Sequence, residues 1–100
     1  MIKLFCYGTL QNPIIRKQVL NNSDHKITKD TISGFDIGII KIDEEYFQIL
    51  ESGNSTIKGS VIEFTKKELK LIDEYETSFY NRKIIKTDNN TSVWVYCRHD

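Results

Sequence analysis

The feature that most constrains the fold of this chain is its beginning, Ile2 to Leu10, which reads IKLFCYGTL. Side chains in the first half of this stretch alternate between two faces, the period-2 pattern typical of a strand with at least one buried face. The strand stops at Gly8, because glycine lets the backbone turn sharply or approach a ligand closely. Asn12-Pro13 then predicts a helix start, since asparagine is a good N-cap and proline is favoured at the first helical position. We therefore expect a strand, a tight loop and a helix in this order.

The tight loop, Tyr7-Gly8-Thr9-Leu10, is the first candidate site. Backbone N–H groups at such a junction can face a small anion or a carbonyl oxygen. Glycine is also common in turns that bind nothing. This stretch by itself therefore leaves both interpretations open.

Length and composition indicate one globular domain, residues 1–100, and exclude several classes of protein. With 39% hydrophobic and 28% charged residues, the chain can bury an ordinary core. Its formal net charge is +0, which gives no basic excess to neutralise phosphates, so we expect no nucleic-acid partner. No apolar run approaches the roughly 20 residues needed to span a bilayer, and the beginning has no signal-peptide pattern. We therefore expect a cytoplasmic protein with no membrane partner.

The cysteines and histidines do not indicate a metal site. Cys6 and Cys97 fall in strand-like runs, and we expect two reduced, buried thiols, with a disulfide or a nucleophilic role as the alternatives. His25 and His99 each lack a second histidine or a carboxylate at ligand spacing. We therefore expect no bound metal ion.

The remaining pattern predicts two helices separated by several strands. The first helix covers Pro13 to Leu20, and the second opens at the capping box Thr65-Lys66-Lys67-Glu68. Alternating apolar runs predict strands at 31–35, 37–42, 46–50, 57–64, 83–87 and 92–98. Turn-forming residues predict turns at 43–45, 51–55 and 88–90, and the polar segment 25–31 is expected to be a loop or a short edge strand. This order predicts an α+β fold, with a small, mostly antiparallel, barrel-like sheet and two or three helices.

Five short motifs, in order along the chain, resemble the gamma-glutamylcyclotransferase-like superfamily in its short avirulence-induced-gene-like branch. They are the YGTL loop at 7–10 with the helix start after it, the glycine-centred strand Ile57–Ile62, the helix end Leu71–Glu76, the triplet Tyr80-Asn81-Arg82 and the closing strand Val93–Tyr96. The matches extend from Phe5 to Tyr96, which is nearly the whole chain.

The resemblance implies a chemistry. Enzymes of this family release 5-oxoproline from γ-glutamyl amides, because the α-amine of the substrate attacks its own γ-carbonyl and expels an amine. The general base of the family maps onto Glu76, and the loop Tyr7-Gly8-Thr9-Leu10 is expected to bind the glutamyl portion through backbone amides. Tyr80 and Arg82 are possible supports, Arg82 by pairing with a carboxylate near the helix end. The resemblance further implies a small-molecule γ-glutamyl substrate and no metal or organic cofactor.

Glu76 by itself also fits a solvent-facing carboxylate at a helix end, since acidic side chains are mostly exposed. However, a glutamate at a helix C-terminus faces the negative end of the helix dipole, and such a local cost is more typical of a working site. Combined with the resemblance, this placement leads us to expect Glu76 to be the base, with Asp73 and Glu74 as supports or surface residues. Two alternatives stay open for the whole chain: a small-ligand-binding or regulatory module on the same fold, and a relative that acts on another acyl amide.

The chain departs from the branch at two places. It has no Tyr-Pro near Gly38–Lys41, and Thr77 follows Glu76 where the family often has glycine. Both departures concern the substrate-facing side of the expected pocket. The resemblance therefore does not define the amine portion of the substrate.

Overall fold

The computed structural model describes residues 1–76 and 80–98, so the expectations that concern Thr77 and His99 lie outside the described residues. The elements are β1 (Ile2–Cys6), a 3₁₀ turn (Thr9–Gln11), α1 (Pro13–Leu20), β2 (Ile27–Ile42), β3 (Glu45–Phe64), α2 (Lys66–Glu76), β4 (Tyr80–Lys86) and β5 (Ser92–Arg98). Within this part of the chain, no helix is both long enough and apolar enough to cross a membrane.

The five strands form one curled, mixed sheet in the order β2-β3-β1-β5-β4. All neighbouring strands are antiparallel except β1 and β5, which run parallel and pair at Leu4 and Trp94. The predicted α+β fold with a mostly antiparallel, barrel-like sheet is therefore confirmed.

Helix boundaries follow the local signals in the sequence. The side chain of Asn12 accepts a hydrogen bond from the Ile14 N–H at 2.9 Å and caps α1 as predicted. At the start of α2, the Thr65 N–H donates to Glu68 Oε1 at 3.0 Å and the Glu68 N–H donates to Thr65 Oγ1 at 3.1 Å. These reciprocal bonds are the predicted capping box.

The β2–β3 hairpin is longer than the sequence indicated. Asp43 and Glu44, both with positive φ, form its two-residue turn, which agrees with the predicted turn at 43–45. The predicted turn at 51–55 is wrong, because this segment lies inside β3 and its extra residues are accommodated as a bulge, where Phe35 pairs with both Ser52 and Ser55. For the segment 25–31, the structure agrees with the expected edge strand and not with the loop, because β2 begins at Ile27 and lies at the edge of the sheet. This edge strand is longer than expected.

Two apolar clusters pack on opposite faces of the sheet. One joins the sheet to the helices and contains Leu4, Cys6, Leu10, Leu20, Ile62, Phe64, Ile72 and Tyr96. The other contains Phe5, Ile32, Leu50, Ile57, Val61, Val93, Val95 and Cys97. Successive residues of β1 therefore enter different clusters, as the alternation in the sequence predicts.

The two cysteines are the buried thiols that the sequence predicts. Burial, and to a lesser extent the nearby charge of Glu76, raises the pKa of the Cys6 thiol far above its ordinary value. A thiol that stays protonated is a poor nucleophile, which argues against a catalytic role for Cys6.

Candidate active site

A cavity of about 410 Å³ opens where β1 ends, a size within the range of about 300–1,000 Å³ that is common for small-molecule sites. Four parts of the chain surround it. Its lining consists of residues 4–10 from β1 and the loop, Ile42, Tyr46, Phe47 and Gln48 from the end of the β2–β3 hairpin, Tyr75 and Glu76 from α2, and Tyr80 and Tyr96 from β4 and β5. The structure thus places the predicted YGTL loop and Glu76 at one cavity, although they are far apart in the sequence.

The loop is closed by a 3₁₀ turn. The Gly8 carbonyl accepts a hydrogen bond from the Gln11 N–H at 3.2 Å, and the Thr9 carbonyl accepts one from the Asn12 N–H at 3.0 Å. Leu10 is buried in the core, so its side chain anchors the loop from behind. A tight connection between strand and helix was predicted, and this hydrogen bonding shows how it is held.

Gly8 lines the cavity and has open space beside its Cα atom. Its φ is −128°, so the backbone conformation does not require a glycine there. A Cβ at this position would meet no other atom within 4 Å, which means that it would extend into free space. The absence of a side chain therefore keeps the loop backbone accessible to a ligand.

Arg16 supports the loop from inside the protein, a role that the sequence analysis missed. Its side chain is only 3% exposed, and its Nη1 donates hydrogen bonds to the carbonyls of Leu10 at 2.9 Å and Gln11 at 3.0 Å. Its Nη2 donates to the Ser23 carbonyl at 3.4 Å. The available signal was its position four residues before the buried Leu20, which places both on one face of α1.

Glu76 is the last residue of α2 and is partly buried at the cavity. Burial raises the pKa of its carboxyl from 4.5 to about 7, because the charged form loses contact with water. Among the described residues, no side chain donates a hydrogen bond to this carboxylate or forms an ion pair with it. A carboxyl of this pKa can accept and release a proton near neutral pH.

Tyrosine hydroxyls connect the parts of the cavity wall. The Tyr7 hydroxyl donates to the Tyr96 carbonyl at 2.8 Å, and the Tyr80 hydroxyl donates to the Gln48 carbonyl at 2.6 Å. Thr9 Oγ1 and the Tyr75 hydroxyl lie 2.9 Å apart and share a hydrogen bond. Burial and the neighbouring Glu76 raise the pKa of both Tyr7 and Tyr80, so these phenols remain protonated donors. Tyr80, a predicted support, thus ties the hairpin to the rest of the site.

Arg82 lies behind the end of α2 and does not line the cavity. Its Nε donates to Asp73 Oδ1 at 2.8 Å and its Nη2 to Asp73 Oδ2 at 3.1 Å, and its guanidinium stacks on Trp94 at 4.9 Å. The Tyr96 hydroxyl also donates to Asp73 Oδ1. The expected pairing of Arg82 with a carboxylate near the helix end is therefore found, and it fixes the last turn of the helix that carries Glu76.

The donor groups around the cavity suit an organic substrate. Within residues 1–76 and 80–98, no group of three or more His, Cys, Asp or Glu side chains gathers in a position to hold a metal ion. The lining combines a carboxylate, accessible backbone and several phenol hydroxyls with a largely apolar wall. This combination can orient a small polar group at one end and exclude water at the other.

Comparison with solved structures identifies the fold. The chain superposes on the solution structure of an Arabidopsis thaliana protein with a TM-score of 0.77 at 20% identity, covering 97% of this chain and 61% of that one. It superposes on the crystal structure of an uncharacterized protein from Pyrococcus horikoshii with a TM-score of 0.76 at 18% identity, covering 100% of this chain and 80% of that one. At this level of identity, the likeness shows a shared fold.

Sequence comparison identifies the family. AIG2-like protein C of Arabidopsis thaliana is 34% identical over 96 residues, which cover 92% of this chain and 55% of that protein. The chain therefore spans about half the length of this curated relative. The model of the family described as gamma-glutamyl cyclotransferase, AIG2-like, matches residues 4–100. The chain belongs to this gamma-glutamyl cyclotransferase, AIG2-like family.

Proposed function

We propose that this chain is a gamma-glutamyl cyclotransferase-type enzyme, which releases 5-oxoproline from a γ-glutamyl amine with Glu76 as the general base. The proposal depends on one observation: a carboxyl with a pKa of about 7 and the accessible loop at residues 7–10 line the same cavity. The proposal uses only the chain's own residues and needs no cofactor.

The first step is a proton transfer. An α-ammonium group has a pKa of about 8, so most of it is protonated at neutral pH and cannot attack a carbonyl. The carboxyl of Glu76 has a pKa of about 7, which makes transfer of that proton to Glu76 nearly balanced in free energy. An exposed glutamate of ordinary pKa would be a much weaker base.

The second step is ring closure. The free amine nitrogen forms a bond to the γ-carbonyl carbon of the same molecule, so the protein needs mainly to fold the substrate for this contact. The developing oxyanion would accept hydrogen bonds from backbone N–H groups of the loop 8–10. The oxyanion then re-forms the carbonyl while the bond to the leaving nitrogen breaks, and that nitrogen takes up the proton held by the carboxyl of Glu76. The ring nitrogen loses its second proton to the carboxylate of Glu76, which passes it on to the released amine or to water.

The test is the direct detection of 5-oxoproline from a panel of γ-glutamyl amides. We expect turnover by the wild-type chain and a loss of about 100-fold or more in Glu76→Gln, because general base catalysis contributes about 10²–10⁴-fold. Glu74→Gln is the matched control, since Glu74 is exposed on the same helix and does not line the cavity. Turnover that survives in Glu76→Gln would contradict the assignment of the base.

Ligand binding without any 5-oxoproline formation would instead favour the alternative of a small-ligand-binding module. A thermal-shift measurement on the same panel separates these outcomes, since a ligand that binds the native state raises the melting temperature.

A further inference from the structure

We propose that the amine portion of the substrate is an uncharged, apolar group without a carboxylate, held against the end of the β2–β3 hairpin. This inference rests on the proposed function, because it names the substrate class for the same cavity. It follows from the shape of the cavity, the chemistry of the hairpin wall and the distribution of charge around it.

The cavity lining has a polar part and an apolar part. The loop 8–10 and Glu76 belong to the polar part, where the glutamyl portion would react. The hairpin contributes Ile42, Tyr46 and Phe47 to the apolar part. With a volume of about 410 Å³, the cavity has room for a second group beside the glutamyl portion.

The hairpin wall presents aromatic surface to water. Tyr46 is 71% exposed and Phe47 is 40% exposed, although both are large side chains at a cavity. Aromatic groups of this kind gain free energy when an apolar ligand covers them, by area burial and by ring stacking. The wall therefore matches an apolar or aromatic amine.

The charges around the cavity disfavour a carboxylate on the amine portion. Among the described residues of the lining, Glu76 is the sole charged side chain. The ammonium of Lys41 lies beside the lining, 5.8 Å from the centre of the Tyr46 ring. The hairpin turn carries Asp43 and Glu44, and Glu45 follows at the start of β3. Lys41 already pairs with Glu44 at 3.2 Å. A carboxylate buried against this wall would lose its hydration without gaining a partner.

The wall is held in place relative to the polar part of the lining. The hydrogen bond from the Tyr80 hydroxyl to the Gln48 carbonyl, at 2.6 Å, joins the hairpin to β4. The hydrogen bond between Thr9 and Tyr75, at 2.9 Å, joins the loop to the last turn of α2. A cavity whose wall is fixed relative to the reacting groups can discriminate between leaving groups by size and charge.

The first experiment compares three amides that differ in one feature at a time: γ-glutamyl-2-phenylethylamide, γ-glutamylphenylalanine and γ-glutamylethylamide. The second adds a carboxylate to the first, and the third removes its aromatic ring. We expect kcat/KM for the phenylethylamide to exceed that for each of the others by about 10-fold or more. An equal or higher kcat/KM for γ-glutamylphenylalanine would overturn the proposal.

The second experiment uses two variants of the same hairpin. Phe47→Ala removes part of the wall, and we expect it to lower kcat/KM for the phenylethylamide by about 10-fold while changing that for the ethylamide little. Ile39→Ala is the matched control, because Ile39 is 70% exposed on β2 and does not line the cavity. Equal losses on both amides in Phe47→Ala would show that the wall does not contact the amine portion.

Binding measurements distinguish a failure of this inference from a failure of the proposed function. If none of the three amides yields 5-oxoproline, the proposed function is wrong. The inference about the amine portion is then tested by measuring the binding of the same amides with titration calorimetry. Tighter binding of the phenylethylamide than of γ-glutamylphenylalanine supports it. Equal or weaker binding of the phenylethylamide overturns it.

Discussion

Helix α2 carries two partly buried glutamates at its opposite ends. The environment of one lowers the pKa of its carboxyl, and the environment of the other raises it. Glu68, in the first turn, accepts hydrogen bonds from the Thr65 N–H and from Asn22 Nδ2, and its Oε2 lies 2.8 Å from His25 Nε2. Although burial alone would raise its pKa, these bonds hold the pKa of Glu68 below its ordinary value. Glu76, in the last turn, has no such donor among the described residues, and burial raises its pKa to about 7.

The comparison shows that hydrogen-bond donors lower the pKa of a carboxyl in spite of burial, whereas burial without such donors raises it. The positive end of the helix dipole also favours Glu68, whereas the negative end disfavours a charge on Glu76. Glu68 therefore contributes to folding in its charged form. The charged form of Glu76 is disfavoured by burial and by its position at the helix end, which suits the role of general base that we propose for it.

The largest expected effect is a difference in kcat between the Glu76→Gln and Glu68→Gln variants. Glu76→Gln should lower kcat by about 100-fold or more, whereas Glu68→Gln should change kcat by less than about twofold, because Glu68 does not line the cavity. Steady-state measurement of 5-oxoproline release from a γ-glutamyl amine checks both. If a fully folded Glu68→Gln protein lost as much kcat as Glu76→Gln, the expected difference between the two glutamates would be contradicted.

The second expected effect concerns the free energy of unfolding, to which we expect Glu68 to contribute. Glu68→Ala should lower the free energy of unfolding by about 2–3 kcal/mol, since it removes the capping box and the hydrogen bonds to a charged group. For a domain of this size, 1 kcal/mol corresponds to about 4–8 °C in Tm, so the loss is measurable by thermal or urea unfolding. Glu74→Ala, on the exposed face of α2, is the control and should change stability by less than about 0.5 kcal/mol.

The third effect is a pH dependence of opposite sign at the two positions. Because the folded-state pKa of Glu76 is raised from 4.5 to about 7, its ionisation opposes folding increasingly as pH rises across this window. Glu76→Gln should therefore be more stable than wild type by about 1–2 kcal/mol at pH 8, and similar to it at pH 4. Because the folded-state pKa of Glu68 lies below 4.5, its contribution is present above that pH and is lost as pH falls through the folded-state value.

Urea unfolding of wild type, Glu76→Gln and Glu68→Gln between pH 3 and pH 8 measures both dependences. Activity gives an independent check, since kcat/KM should rise with pH through about 7 as Glu76 loses its proton. A stability difference for Glu76→Gln that does not change between pH 4 and pH 8 would contradict the raised pKa.

The smallest effect concerns Tyr75, which precedes Glu76 in the last turn of α2. Tyr75→Phe removes the exposed hydrogen bond to Thr9, which should change the free energy of unfolding by about 0.5 kcal/mol. We expect KM for the γ-glutamyl amide to rise a few-fold and kcat to stay within about twofold, because the loop loses a support but Glu76 keeps its environment. Thr9→Val should raise KM by a similar factor, because it removes the same hydrogen bond. For the same reason, the double variant should have a KM close to that of either single variant.

Local sequence signals predicted many element boundaries correctly. The caps at Asn12 and Thr65 formed as expected, because their hydrogen bonds join residues two or three positions apart. The turn expected around Gly53 did not form, because pairing with β2 along most of its length outweighed the local preference of these residues. The burial of Arg16 and His25 was also missed, since polar residues become buried only where distant groups supply hydrogen bonds.

The sequence by itself determined the alternating first strand, the helix caps and the lack of a basic excess. Its motifs were also sufficient to identify the loop at 7–10 and Glu76 as candidate site residues. These features depend on neighbours along the chain or on composition, so no long-range information is needed to read them. Only the tertiary structure decided that the loop, Glu76 and the hairpin end surround one cavity. It also decided that Glu68 is supplied with hydrogen-bond donors, whereas no side chain in the described part of the chain donates to the partly buried Glu76. The physical reason is that a pKa and a cavity wall depend on which distant side chains approach, and sheet pairing and core packing establish those approaches.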